Sequence, residues 1–312
     1  MNDLRSVTSP EQGLRGCLAL ASPRYELLPL ADMREAAGLL PAGALVTVTC
    51  SPRHGIERTL EEAEWLSRSG FRAVPHLAAR LVRDRAHLEE IVSRMAAAGI
   101  DDCLVVGGDA PRATGDFADG LALLEGLAGH PARPSRLGVP AYPEGHPGFD
   151  AAALQRNLEA KARLADYAVT QLCFEALPLR DWLRLQRDRG LALPIYAGIP
   201  GVIAHARLLS VAMRIGLGAS TRALGRQRGL LGRLLRPAVY RPEALMRGLW
   251  PALDEPDGFA GLHVYSFNQV GATRAWLEAL RATRCAGTDP VATLLSPSGD
   301  SGSGIVKPAA RY

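Results

Sequence analysis

The sequence predicts a single (β/α)8 TIM barrel over residues 1–287. Short apolar runs, each followed by a polar turn and a segment with helical spacing, recur about eight times along the 312 residues. Alternating strands and helices are typical of a parallel sheet, and about eight units at this length favour a closed barrel. An open doubly wound sheet usually carries a Gly-x-Gly-x-x-Gly loop after its first strand, and this sequence has none.

The predicted strands are residues 25–28, 44–49, 73–77, 103–106, 137–141, 168–174, 194–197 and 262–265. The first of them competes with residues 17–21, which suit a strand equally well. Three- and four-residue spacing predicts helices packed on the sheet through two sets of residues: Leu88, Ile91, Val92 and Met95, and Leu154, Leu158, Ala162 and Ala165. The stretch 216–250 exceeds one helical crossover, which predicts an extra helix before the last strand.

The C-terminal segment 288–312 has the composition of a linker and is predicted to be disordered. Its Gly-Asp-Ser-Gly run at 299–302 imitates a serine-protease nucleophile motif. A disordered tail cannot hold an oxyanion hole, so this match is discarded.

Composition predicts a cytoplasmic protein without a membrane segment. No apolar run approaches the roughly 20 residues that a membrane helix needs. The first 13 residues carry charges and no long apolar stretch follows them, unlike a secretory signal. Because the cysteines are odd in number, scattered and without a Cys-x-x-Cys pair, we expect buried free thiols at Cys17, Cys50, Cys103, Cys173 and Cys285.

Arginines are concentrated between residues 190 and 242, where eight of them occur without an acidic residue. A nucleic-acid partner would require stacking residues among them, and only Tyr196 and Tyr240 are near, so no nucleic acid is expected. Two interpretations of the arginine-rich part, residues 207–241, stay open. It is either a solvated basic helix pair or a surface that faces an anionic ligand tail.

Polar residues close the predicted strands at the end where barrels of this class carry their active sites. Any one of them could be a strand cap or a core histidine satisfied by backbone carbonyls, yet together they are too polar for a core. The seven histidines form no His-x-His or His-Glu-x-x-His pattern, so no metal site is expected. The polar ring consists of Glu26, Thr49, His76, Asp109, Tyr142, Glu144, His146, Gln171, His263, Tyr265 and Asn268.

Several motifs occur in the order found in one enzyme family. They are Tyr-Glu-Leu-Leu-Pro at 25–29, Val-Thr-Val-Thr at 46–49, Glu-Arg-Thr at 57–59, Val-Pro-His-Leu at 74–77, Gly-Gly-Asp at 107–109, Ala-Tyr-Pro-Glu-Gly-His-Pro at 141–147 and Val-Thr-Gln-Leu-Cys-Phe at 169–174. In this order the sequence resembles the methylenetetrahydrofolate reductases over roughly residues 24–282, with further similarity at 194–199 and 261–268. The run at 141–147, with 169–174 downstream, is specific, whereas Pro-His-Leu alone is weak.

The resemblance implies a (β/α)8 barrel that reduces 5,10-methylenetetrahydrofolate to 5-methyltetrahydrofolate with NAD(P)H as the hydride donor. Glu26 matches the family's general acid, which helps to open the imidazolidine ring of the substrate. Asp109 matches an aspartate near the pterin and the cofactor, where its charge would stabilise a developing cation. Gln171 and Tyr265 are expected to bind the substrate, Gln171 through the pterin edge.

The resemblance also implies a flavin site. Residues on or near the family's FAD-binding positions are Thr49, His76, Gly108, Asp109, Tyr142, Glu144, His146 and Lys161. Three departures weaken this site: Gly107 replaces an arginine, residues 50–53 replace an aromatic residue and a glycine-rich turn, and no aromatic residue lies near His205. The family's relay from NAD(P)H through FAD to folate is favoured over direct hydride transfer.

Three other functions remain open. The same chemistry in reverse would oxidise methyltetrahydrofolate during methyl-group catabolism. A folate- or flavin-binding protein could keep the fold without turnover, although pure binding would not need the acid at Glu26. A different barrel enzyme could have a similar polar ring, because fold alone does not fix function. The expected partner is a reduced folate, and exposed barrel faces suggest a homo-oligomer.

Overall fold

The computed structural model of the chain describes residues 10–204 and 239–285, and its centre is a closed barrel of eight parallel strands. The predicted fold class is therefore confirmed. Each predicted strand matches an observed one, and the last strand pairs with the first. The barrel strands are β1 (Arg24–Leu27), β2 (Leu45–Val48), β3 (Arg72–Ala78), β4 (Asp102–Val106), β5 (Arg136–Ala141), β6 (Tyr167–Thr170), β7 (Ile195–Pro200) and β10 (Gly261–Tyr265).

Helices surround the barrel and run back between consecutive strands. Asp84, Asp119 and Asp150 begin three of them, because each side chain accepts hydrogen bonds from backbone N–H groups of the first turn. The helices are α1 (Pro10–Ala21), α2 (Met33–Gly38), α3 (Gly55–Arg68), α4 (Arg85–Ala97), α5 (Gly120–Ala128), α6 (Ala151–Lys161), α7 (Ala176–Asp188), α8 (Glu243–Asp254) and α9 (Val270–Cys285).

The competing strand at residues 17–21 is wrong, because these residues form the end of α1. Gly16, Ala19 and Leu20 are buried, whereas Leu18 is 62% exposed, which is the three- and four-residue spacing of a helix with one buried face. The α6 prediction also extended too far, because this helix ends at Lys161, before Ala165. Similarly, β6 ends at Thr170 rather than at residue 174.

The expectation of free thiols is wrong for two of the five cysteines. Cys17 in α1 and Cys285 at the end of α9 form a disulfide, with their Cα atoms 6.0 Å apart. The 268 residues that separate them in sequence hid this pair, because α1 and α9 become neighbours only when the barrel closes. Cys103 and Cys173 are buried free thiols, as expected, and Cys50 is half-buried.

The segment between β7 and β10 is described only in part. A two-stranded antiparallel sheet pairs β8 (Ile203–Ala204) with β9 (Val239–Tyr240), and α8 follows. Because α8 packs against α7 and α1, it is the crossover helix of this unit. The predicted extra helix and most of the arginine-rich part fall on residues 205–238, outside the described residues. The predicted tail at 288–312 also lies outside them, and the single domain over 1–287 stays a prediction.

A buried ion pair lies inside the barrel near the amino ends of the strands. Arg24 is 1% exposed, and its Nη2 lies 3.0 Å from Oδ2 of Asp102. The Tyr167 hydroxyl donates to Oδ1 of the same carboxylate at 2.7 Å, and the guanidinium lies over the Tyr167 ring. Gly138 makes room for this ring, because a Cβ there would lie 2.2 Å from it. The barrel interior thus contains an ion pair, Arg24 with Asp102, near the amino ends of the strands.

Apolar side chains fill the space between the barrel and the surrounding helices. Leu88, Ile91, Val92 and Met95 of α4 are buried in this layer, which confirms their predicted role. Within residues 10–204 and 239–285, no helix combines the length and the apolar character required to cross a membrane. The described residues thus form three separate apolar clusters: one around the barrel, one inside it, and a smaller one made of Leu172, Ile203 and Phe267.

We expect Asp102→Asn to destabilise the barrel by about 3–5 kcal/mol, because it leaves the buried charge of Arg24 without its counter-ion. Free energies of unfolding from urea titrations measure this loss. The controls are the single variant Arg24→Met and the double variant Arg24→Met/Asp102→Asn, which removes both charges and should lose less than the sum of the two single variants. Additive losses in this double-mutant cycle would contradict an interaction between the two charges.

Candidate active site

Glu26 lies inside the barrel, on the same face of β1 as Arg24 and two residues closer to the carboxyl end. Its Oε2 lies 3.0 Å from Nε2 of His263 in β10 and 3.7 Å from Nε2 of His76 in β3. All three side chains are at least nine-tenths buried. The closed barrel therefore gathers three members of the predicted polar ring from strands that are far apart in sequence.

Burial separates the proton affinities of these groups. It raises the pKa of Glu26 to about 7, although the nearby His76 opposes this rise. Burial, with a smaller contribution from the Arg24 cation, lowers the pKa of His76 to about 4 and that of His263 to about 3, although the Glu26 charge opposes the shift at His76. Near neutral pH the two histidines are therefore uncharged, and Glu26 is the group that can hold or release a proton.

The backbone of Glu26 is tied to the loop that follows β10. The Ser266 hydroxyl donates a hydrogen bond to the Glu26 carbonyl at 2.7 Å. The Asn268 side chain accepts from the backbone N–H of Leu28 at 2.9 Å and donates to the Leu28 carbonyl at 3.1 Å. Asn268, which the sequence placed in the polar ring, thus connects the loop after β10 to the backbone just after β1. Ser266 was not predicted, because its side chain gives no signal in the sequence.

Tyr265 crosses the mouth of the barrel from β10 toward β6. Its hydroxyl donates to the Thr170 carbonyl at 3.1 Å. Burial raises the pKa of Tyr265 well above its ordinary value, and the nearby charges of Glu26, Cys173 and Tyr142 raise it further. The Tyr265 side chain therefore reaches from β10, where Tyr265 pairs with Glu26 of β1, to the carboxyl end of β6.

A cavity of about 980 Å³ opens beside these two loops. Asp109, Tyr142, Glu144, His146 and Gln171 all line it. The loop after β4 contributes the first of these residues, the loop after β5 the next three, and the loop after β6 the last. Five predicted site residues thus share one surface, whereas Glu26 and His76 lie inside the barrel and do not line the cavity.

The cavity residues carry donors, acceptors and aromatic rings. Burial, with Asp109 nearby, raises the pKa of Tyr142 to about 12, so its hydroxyl stays protonated. The rings of Tyr142 and His146 meet edge-on with centroids 5.1 Å apart. The side-chain oxygen of Gln171 accepts from the backbone N–H of Leu172 at 2.8 Å, which fixes the orientation of its amide. Burial lowers the pKa of His146, which favours the neutral ring.

The other predicted cofactor residues do not line the cavity. The Thr49 carbonyl accepts a hydrogen bond from the Thr59 hydroxyl at 3.0 Å. Lys161 is 6% exposed, burial lowers its pKa, and Asp119 opposes this effect. Gly108 has φ +87°, and a Cβ there would lie 3.0 Å from that of Ala78, so this turn requires glycine.

The positions of the eight predicted flavin residues relative to the cavity test whether the cavity suits a flavin. Four of the eight predicted flavin residues line the cavity, and the other four, Thr49, His76, Gly108 and Lys161, do not. Gly107 stands where the family has an arginine, and Lys161, the cation on the predicted list, is buried outside the cavity. Only half of the predicted flavin residues therefore line the cavity, and no chemical step is routed through a flavin.

Two aromatic residues on the cavity wall escaped prediction. Phe149 is 57% exposed and packs against His146, and Trp182 extends the wall along α7. Neither belongs to a motif or ends a strand, so only the folded chain reveals them. Among the described residues, no group of three or more His, Cys, Asp or Glu side chains is placed to hold a metal ion.

Gly198 in β7 leaves space for the arrangement around Tyr265. A Cβ at this position would lie 2.2 Å from the Thr170 carbonyl oxygen and 2.9 Å from the Tyr265 ring. We expect Gly198→Ala to lower the free energy of unfolding by about 1–3 kcal/mol through this overlap. Thermal denaturation measures the loss.

The matched control is Gly38→Ala in α2, where no atom lies within 4 Å of the added Cβ. It should leave stability unchanged or raise it by about 0.4–1 kcal/mol. Equal stabilities of the two variants would contradict the close packing at Gly198.

Solved structures similar to this chain have low sequence identity to it. A proposed lyase/mutase from Burkholderia cenocepacia J2315 is 14% identical, with 93% of this chain and 95% of that chain covered and a TM-score of 0.43. Muconate lactonizing enzyme from Pseudomonas putida is 12% identical, with 56% and 45% covered and a TM-score of 0.35. At such values these similarities carry no argument about function.

The family comparison is more informative. The family model described as methylenetetrahydrofolate reductase matches residues 30–216, which is more than half of the chain. The match includes β2 to β7 and every cavity-lining loop described above. It agrees with the motifs found in the sequence and with the closed barrel. The chain belongs to the methylenetetrahydrofolate reductase family.

Proposed function

We propose that this protein reduces 5,10-methylenetetrahydrofolate to 5-methyltetrahydrofolate, with NAD(P)H as the hydride donor. Family membership supports a folate-related oxidoreductase. The observation that carries the proposal further is the buried Glu26 carboxyl, whose pKa of about 7 suits a proton donor near neutral pH. A non-catalytic folate-binding protein would not require a proton donor of this kind.

The first step is the opening of the five-membered imidazolidine ring of the substrate. Protonation of N10 by Glu26 breaks the bond between N10 and the methylene carbon, and the electron pair of that bond stays on N10. The methylene carbon then forms a cationic C=N bond with N5. Hydride from the nicotinamide adds to this carbon and completes the methyl group, so one proton and one hydride are consumed.

The cavity residues are suited to hold this intermediate. Asp109 lines the cavity and is exposed, so its carboxylate can face the cation that forms at N5. Gln171 presents an amide whose orientation is fixed by Leu172, and its NH2 group suits the polar edge of the pterin. Tyr265, which pairs with Glu26 across β1 and β10 and reaches the carboxyl end of β6, is proposed to contact the substrate near the transferred proton.

Members of the family use FAD and NAD(P)H in general. A bound flavin would accept hydride from the nicotinamide and pass it to folate. Because only four of the eight predicted flavin residues line the cavity and Gly107 replaces the family's arginine, we propose direct transfer from the nicotinamide for this chain. The residues that act on the folate are the same in both routes.

Replacement of the acid gives the sharpest test of this function. We expect Glu26→Gln to lower kcat/KM by about 10²–10⁴-fold, because the amide cannot donate the proton, while folate still binds. The measurements are NAD(P)H oxidation with methylenetetrahydrofolate and folate binding by calorimetry. Unchanged turnover in this variant would remove Glu26 from the mechanism.

The same carboxyl predicts a pH dependence. The protonated form is active, so kcat/KM of the native protein should fall as pH rises through about 7. The residual activity of Glu26→Gln should lack this fall. A native profile that is flat between pH 6 and about 8.5 would show that another group donates the proton.

The spectrum of the purified protein tests the hydride route. We expect no absorption band near about 450 nm, the flavin region, and turnover with NAD(P)H that added FAD does not increase. The control is the spectrum of the same sample after denaturation, which releases any tightly held flavin. A band that NAD(P)H bleaches would instead establish a flavin relay.

A further inference from the structure

The cavity extends beyond the residues assigned to folate. From the mouth of the barrel it continues between α6 and α7, in a part that we name the interhelical seam. Its inner end carries Asp109 and Gln171, and its two walls come from the two helices. The seam is lined by Leu154, Gln155, Arg156, Leu158, Trp182, Leu185, Gln186 and Arg189.

Helical spacing explains how α7 forms one wall of the seam. Trp182, Leu185, Gln186 and Arg189 follow one another at three- and four-residue intervals, so they lie on one face of the helix and its C-cap. Gln155 and Arg156 stand at three and four residues from Ala152, which also lines the cavity. The seam is therefore a feature of two regular helices rather than of an irregular loop.

An amide pair bridges the two walls. The Gln155 and Gln186 side chains donate to each other's oxygens at 3.0 Å, and Gln155 also donates to Glu159 at 2.8 Å. Gln186 is 1% exposed, so its amide depends on this partner. A polar bridge of this kind joins α6 and α7 and fixes the separation of the two helices at this point.

The seam combines one large aromatic ring with two permanent cations. Trp182 is half-buried and presents an apolar surface, whereas Arg156 and Arg189 are exposed and always charged. Indole rings stack on planar bases, and guanidinium groups bind phosphate oxygens through paired hydrogen bonds. The acids of the cavity, Asp109 and Glu144, lie on the loops at its inner end rather than on the seam helices.

We propose that the interhelical seam binds the adenosine diphosphate end of the nicotinamide hydride donor. The adenine stacks on Trp182, Arg156 and Arg189 hold the diphosphate, and the nicotinamide reaches the inner end beside Asp109 and Gln171. The volume of about 980 Å³ lies at the upper limit of ligand pockets, which suits a ligand longer than a pterin. This inference rests on the proposed function.

Binding of ADP-ribose, which lacks the nicotinamide, tests the seam without any turnover. Calorimetry compares the native protein with Trp182→Ala and with the double variant Arg156→Glu/Arg189→Glu. Each should bind ADP-ribose at least about tenfold more weakly, since stacking and charged phosphate contacts are lost. The control is Arg163→Glu, an exposed arginine just after α6 that does not line the cavity.

Kinetics and spectra distinguish the possible occupants. The seam variants should raise KM for NAD(P)H and leave KM for methylenetetrahydrofolate unchanged. Equal ADP-ribose affinities in all variants would overturn the inference, as would a rise confined to KM for folate, which would place the folate tail in the seam. Loss of a copurified FAD from the seam variants would also overturn it.

The seam and the proposed reaction can fail separately. Turnover of methylenetetrahydrofolate by the native protein, together with unchanged ADP-ribose binding in the variants, would refute the seam alone. Weakened ADP-ribose binding in the variants without any turnover by the native protein would support the seam as a dinucleotide site and refute the proposed reaction.

Discussion

The burial of one carboxyl group inside a closed barrel determines most of what this structure can do. Glu26 is surrounded by two neutral histidines, and a buried cation lies two residues away along the same strand. Ionising Glu26 costs the folded state on the order of 3 kcal/mol, because its pKa rises from an ordinary 4.5 to about 7. The penalty is absent below pH 4.5 and complete above about 7. The raised pKa that makes Glu26 a proton donor therefore also lowers the stability of the barrel at higher pH.

The Arg24–Asp102 pair makes this arrangement consistent. Arg24 disfavours a second positive charge nearby, which helps to keep His76 and His263 neutral. Its own charge is balanced by Asp102 and covered by the Tyr167 ring. Had either histidine been charged, it would have stabilised the Glu26 carboxylate and lowered the pKa of Glu26, so that less of the protonated form would remain near neutral pH. The Arg24–Asp102 ion pair thus lies near the amino ends of the strands, and the protonated Glu26 carboxyl lies closer to their carboxyl ends.

The fold was predictable because a barrel repeats one local pattern, a strand followed by a helix. Each buried strand appears in the sequence as a short apolar run. The strand ends were predictable as well, so Glu26, Asp109 and Gln171 could be named. What the sequence hid depends on distant contacts: the Cys17–Cys285 disulfide and the His263 partner of Glu26 form only when the barrel closes. The cavity wall was hidden for another reason, since Phe149 and Trp182 look like ordinary surface and helix residues.

The position of Glu26 on the first strand has a consequence for protein synthesis. Its histidine partner and the loop that clamps its backbone belong to residues 263–268, at the far end of the barrel. A ribosome therefore makes the acid early and supplies its surroundings last. Until the final strand emerges, the carboxyl group stays in water, with the ordinary acidity of glutamate. The chain thus acquires its proton donor in the same event that closes the barrel, and an incomplete product carries none.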